Sequence, residues 1–182
     1  MSNATKASFV LGAIGGFLVA LLEIPAELDW TWDDVPWNEP QFFLILSLAG
    51  ILISIGFIGL WRESGNVIPL VSAICIILWA ITRPLAYYLW TFTMFGLHPG
   101  YQAISAIGNI PWAGVGWITA GISAWLLREE FSPFSIVATL VFLAFGAVHL
   151  LGLLIGPFDW FYWFFIATGI VASIYFLDAA RT

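Results

Sequence analysis

The sequence predicts an all-α integral membrane protein whose six transmembrane helices form three consecutive αα-hairpins, with both termini cytoplasmic. Three observations carry that expectation. Of the 182 residues, 62% are hydrophobic and 9% charged, against about 25% charged in a soluble domain. The apolar residues fall in runs of about 20, the length an α-helix needs to cross hydrocarbon about 30 Å thick, and they are continuous rather than alternating, as β-barrel spans would be. Four of the five basic residues, Lys6, Arg62, Arg128 and Arg181, lie between or beyond these runs on one side of a six-span chain, and Lys- and Arg-bearing loops stay in the cytoplasm.

Taken in order, the runs place span 1 at about Ala7–Ile24, span 2 at Gln41–Trp61 and span 3 at Val67–Tyr87. Span 4 follows at Ala106–Leu127, span 5 at Phe134–Ile155 and span 6 at Trp160–Leu177. Span 1 is followed by Pro-Ala-Glu without a small-residue cleavage pattern, so it is expected to remain in the mature protein. Residues 1–182 then make a single transmembrane domain in the cell membrane. The side opposite the basic loops holds Glu27, Asp29, Asp33, Asp34, Glu39 and Asp159 and no Lys or Arg. Small residues at spacing four, Gly12-Gly16-Ala20 in span 1 and Gly116-Ala120-Ala124 in span 4, with Gly56 and Gly59 in span 2, mark faces where backbones approach closely in lipid. With six spans to pack, these are expected to be internal seams.

The fifth basic residue, Arg83, stands alone in an apolar stretch that runs uncharged from Val67 to Ile81 and from Leu85 to Leu97. An ionised side chain at such depth costs about 2.5–3.5 kcal/mol on insertion scales, so it is expected to face protein or water and to mark a site, or else to snorkel to the headgroups. Glu23, Arg83 and His149 each lie 17 residues beyond the last polar residue before their spans, Lys6, Asn66 and Ser132. At 1.5 Å per residue this puts one ionisable group from each outward-running helix into a layer in the outer third of the membrane. Glu23 and Arg83 are natural opposite-charge partners, and His149 is the member able to change charge near neutral pH. Above this layer lies the outer loop 27–40, with three tryptophans and five carboxylates. It reads either as an interfacial belt or as a mouth for a cationic or amphipathic molecule. The candidate ligand-binding residues are therefore Glu23, Arg83, His149, Trp30, Trp32, Trp79 and Trp90.

Other chemistries find no support in the residues present. The two histidines, His98 and His149, are too few for bis-histidine haem pairs, and no HExxH or Cys/His cluster suggests a metal. Cys75 is the single cysteine, in an apolar run, so no intrachain disulfide is expected. No phosphate-cradling glycine loop and no basic patch points to nucleotide or nucleic acid. No cofactor, catalytic residue or metal ligand is assigned. In size, six spans and inside termini the chain is similar to the substrate-binding membrane subunits of energy-coupling-factor vitamin transporters, although glycines replace the alanine pattern of those subunits. That resemblance implies a ligand held near the outer face under the first loop. The leading expectation is a protein that binds or transports a small molecule through a site in the outer half of the membrane, in contact with membrane lipid. The alternatives are a non-catalytic subunit, with itself or with other membrane subunits as partners, and a lipid-modifying enzyme using Glu23 and His149 as acid and base.

The topology is open to a direct check. In intact cells an impermeant thiol reagent should label Asp33→Cys and leave Ser64→Cys unmodified; labelling at Ser64 overturns the orientation.

Overall fold

A computed structural model describes residues 1–27, 39–92, 110–155 and 161–181. Among them are six helices: α1 Asn3–Glu27, α2 Glu39–Ser64, α3 Val67–Phe92, α4 Ile110–Leu126, α5 Ser135–Ile155 and α6 Phe161–Ala179. Three of these, α1, α2 and α3, are long and apolar enough to cross a membrane, and Ser135–Leu151 and Trp163–Ala179 are shorter apolar helices. The Trp- and acid-rich stretch 27–40 lies almost wholly outside the described residues.

Local chemistry explains where the helices begin and end. The Ser2 hydroxyl accepts the Thr5 amide at 3.2 Å, capping α1. Between α2 and α3 the link is two residues long. Gly65 takes φ +68°, the left-handed conformation that closes a helix C-terminus and that a Cβ disfavours, and its amide bonds the Trp61 carbonyl at 2.8 Å. Asn66 then caps α3 by accepting the Ile68 amide at 2.9 Å. Pro84 sits inside α3 without ending it; just before it, the Thr82 hydroxyl donates to the Leu78 carbonyl at 2.8 Å.

Each helix packs on its neighbours in the chain, and α6 packs back on α1. The six therefore form a closed ring in sequence order. Large rings fill its centre. Phe57 of α2 meets Phe142 of α5 at 6.4 Å and Phe176 of α6 at 5.1 Å, Phe9 meets Phe131 at 6.2 Å, and Trp117 meets Phe142 and Phe145 at 5.2 and 5.4 Å. Between adjacent helices the opposite rule holds, and small residues line the seams as expected. A Cβ on Gly16 would lie 2.6 Å from the Gly169 carbonyl oxygen, and one on Gly169 would lie 2.6 Å from that of Gly16. The α1–α6 crossing is thus backbone against backbone, reinforced by the Ser173 hydroxyl donating to the Ala13 carbonyl at 2.8 Å. Gly12 faces Gly56 and Phe176, and Gly116 faces Cys75 and Ile76. Gly15, Gly114, Gly146 and Gly169 are further seam residues that the spacing-four pattern does not include.

The outside of the ring is also apolar. Phe17 is 60% exposed and Leu140 65%, with Ile81, Ile136, Val67 and Trp163 comparably open. Surfaces of this kind are foreign to a soluble monomer.

Gly16→Val or Gly169→Val should each destabilise the detergent-solubilised protein by about 1–3 kcal/mol or more, because the obstructing atoms are backbone and cannot yield. Gly65→Ala, with open space around it, should cost only about 1 kcal/mol of backbone strain. Equal melting temperatures for the seam and turn variants would contradict this packing.

Candidate functional site

The late turns of α3 and α5 meet the early turns of α2 and α6, and Arg83 lies where they converge. Its guanidinium carbon is 5.5 Å from the Phe165 ring centre, 5.9 Å from Phe43 and 6.0 Å from Trp79. These rings belong to α6, α2 and α3. The guanidinium therefore points among helices rather than out along the apolar surface, and cation–π attraction acts from three directions at separations near its useful limit of about 6 Å. Arg83 is half-buried.

Phe165 joins Arg83 to His149. It lies 5.4 Å from the imidazole and 4.7 Å from Phe145, and the imidazole itself stands edge-on to Phe145 at 4.4 Å. His149 is 3% exposed, and Arg83 is close enough to act on it electrostatically. Its Nδ1 is 3.0 Å from the Phe145 carbonyl oxygen. A carbonyl can only accept, so Nδ1 carries the hydrogen and the tautomer is set by the helix itself.

Glu23 is fully buried, at 0% exposure, in the last turns of α1. The ion pairs among the described residues are Met1 with Glu63 at 3.7 Å and Arg128 with Glu129 at 3.1 Å. The direct Glu23–Arg83 pair expected from their shared depth is not among them, and Glu23 is engaged by other contacts. Equal depth places two groups in one layer but leaves their directions around the bundle open. Trp79 is 2% exposed, and its indole N–H has no acceptor among the described residues; the Thr168 hydroxyl, one turn along α6 from Phe165, is buried in the same condition. Trp30 and Trp32 lie outside the described residues, and Trp90 falls in the last turns of α3, where the helix alone is described.

The residues that sequence reasoning missed are Phe43, Phe145 and Phe165. A signal for two of them was present, since Phe43 and Phe165 stand near the starts of even-numbered helices, level with the charges late in the odd ones. Among the described residues no group of three or more His, Cys, Asp or Glu could hold a metal. At the opposite end of the ring, a groove of about 470 Å³ is lined by Pro133, Phe134, Ile174, Leu177, Asp178 and Arg181. Asp178 there already accepts the Ser132 hydroxyl.

A double-mutant cycle tests the central contact. Arg83→Met and Phe165→Leu should couple by about 0.5–1 kcal/mol in thermal stability, whereas Arg83→Met with Phe57→Leu should add within about 0.5 kcal/mol. Additivity in the first pair would remove Phe165 from the site.

Comparison with known proteins supplies no relative: no protein-family model, no curated protein and no solved structure matches the chain.

Proposed function

We propose that this chain crosses the cell membrane six times, as three hairpins with both termini cytoplasmic, and binds or transports a small molecule through a site in the outer half of the bilayer. The observation that carries the reading is the Arg83 guanidinium held among rings from three helices beside buried His149. Charged groups are rare inside membrane bundles and mark substrate or ion pathways there. The closed ring supports the span count. Contacts at its two ends, late α3 and α5 against early α2 and α6 at one and early α1 against late α2 at the other, support the hairpins. The apolar exterior supports contact with lipid.

The ring faces around Arg83 favour an amphipathic ligand over a purely cationic one, because a cation brought to this point would be repelled by the guanidinium. Trp79 makes the site optically visible. Titration of the detergent-solubilised chain with octyl-chain amphiphiles spanning anionic, neutral and cationic headgroups should give, for at least one of them, a saturable change in tryptophan fluorescence. His149→Phe should weaken it several-fold. A flat response to all three, with the chain migrating in mild detergent only with unlike subunits, would overturn the reading in favour of a non-catalytic subunit.

A further inference from the structure

We infer that the Arg83 guanidinium anchors an oxyanion, a phosphate or carboxylate, carried by an amphipathic molecule whose apolar part lies against Phe43 and Phe165. The inference deepens the ligand-site reading above and rests on it.

The argument begins with what a guanidinium requires. It offers five N–H donors in a planar fork and cannot shed its charge to escape an apolar setting, as a carboxyl or imidazole can. Arg128 shows how this chain meets that requirement elsewhere. It donates to Glu129 Oε1 at 3.1 Å and to the Trp125 carbonyl at 2.9 Å, and it lies 4.4 Å from the Trp125 ring. Among the described residues Arg83 has only the rings. Among the described residues it makes no hydrogen bond and no ion pair, and its three ring contacts at 5.5–6.0 Å offer π faces but no acceptor for its N–H groups.

The surroundings add one further unmet donor. The indole N–H of Trp79, on one of the three rings, lacks an acceptor among the described residues. His149 has its Nδ1 hydrogen committed to the Phe145 carbonyl, which leaves Nε2 as an acceptor that could take a hydrogen from a protonated headgroup. A bidentate oxyanion would satisfy two guanidinium N–H groups in parallel, the geometry that makes Arg the preferred residue for phosphate and carboxylate. The same rings that leave the N–H groups unmet supply apolar surface for the remainder of the molecule. A cation would leave these donors unsatisfied and would be repelled by the guanidinium, and a neutral polyol could accept from them but without the opposite charge that makes such bonds strong. The oxyanion has two possible sources, a phospholipid headgroup or a free amphiphile, which share this chemistry.

The test uses the full chain, delipidated in a maltoside detergent. Octyl phosphate, octyl trimethylammonium and octyl glucoside are compared as probes by tryptophan fluorescence and melting temperature. The expected result is octyl phosphate binding at least about tenfold more tightly than the other two, the scale of one charge-assisted hydrogen bond. Arg83→Gln should weaken octyl phosphate about tenfold, and Arg83→Lys, which keeps the charge but loses the fork, should weaken it less. Native mass spectrometry separates the sources. A phospholipid retained by the unaltered chain, lost in Arg83→Gln and displaced by octyl phosphate identifies a lipid headgroup; binding of octyl phosphate to lipid-free chain with no retained lipid identifies a free amphiphile. Equal or tighter binding of the ammonium or the glucoside overturns the oxyanion inference while leaving the ligand-site reading standing. Failure of all three probes overturns both. If Arg83→Gln does not fold, the ranking of headgroups on the unaltered chain still decides.

Discussion

The α1–α6 crossing at Gly16 and Gly169 is the contact on which the remaining architecture depends. It joins the first helix to the last and turns a chain of neighbours into a ring. In the lipid setting proposed here, helices gain little by hiding apolar surface from an equally apolar solvent, so association rests on close van der Waals packing and a few hydrogen bonds. Glycine on both sides lets the backbones meet, and the Ser173–Ala13 hydrogen bond adds a directional contact at that seam. With the ring closed, a central space exists that must be filled, since an unfilled void forfeits contacts along its whole lining. Phe57, Phe142, Phe176 and Trp117 fill it. Small residues between neighbours and large rings at the centre are therefore two consequences of one geometry.

Several buried hydroxyls inside the ring are met within their own helices. Ser54, Ser123 and Thr139 each donate to a carbonyl four residues back, which meets the hydroxyl without a partner on another helix. Hydroxyls that reach across helices are fewer. Ser72 donates to Thr119 at 3.0 Å, and Thr5 to Glu63 at 3.2 Å. Against that background Arg83 is an exception of kind, because its side chain is too long and too rich in donors to be met by its own helix. His149 follows the general rule through Nδ1 and the Phe145 carbonyl, yet it sits at the same aromatic junction. Phe165 is the hinge of that arrangement, touching the guanidinium, the imidazole, Phe145 and Trp79 at once.

Run length, charge spacing and small-residue spacing are one-dimensional quantities, and what depends on them was determined by the sequence itself. The apolar runs at Gln41–Trp61 and Phe134–Ile155 correspond closely to α2 and α5, because an uncharged run about 20 residues long between polar residues has few alternatives to a helix. Glu23, Arg83 and His149 were marked as one layer for the same reason, since their count from the last polar residue fixes depth. Azimuth and neighbour identity were decided only by the tertiary structure. Depth gave no means of knowing that Arg83 turns toward Phe43 and Phe165, or that Glu23, at the same count, forms no direct ion pair with it. Pro84 stands inside α3 without ending it, an outcome that local sequence leaves open because a proline within such a helix is tolerated according to its packed surroundings. The closing of α6 onto α1 was the least legible feature, since Gly16 and Gly169 are far apart in the chain and only packing can bring them together.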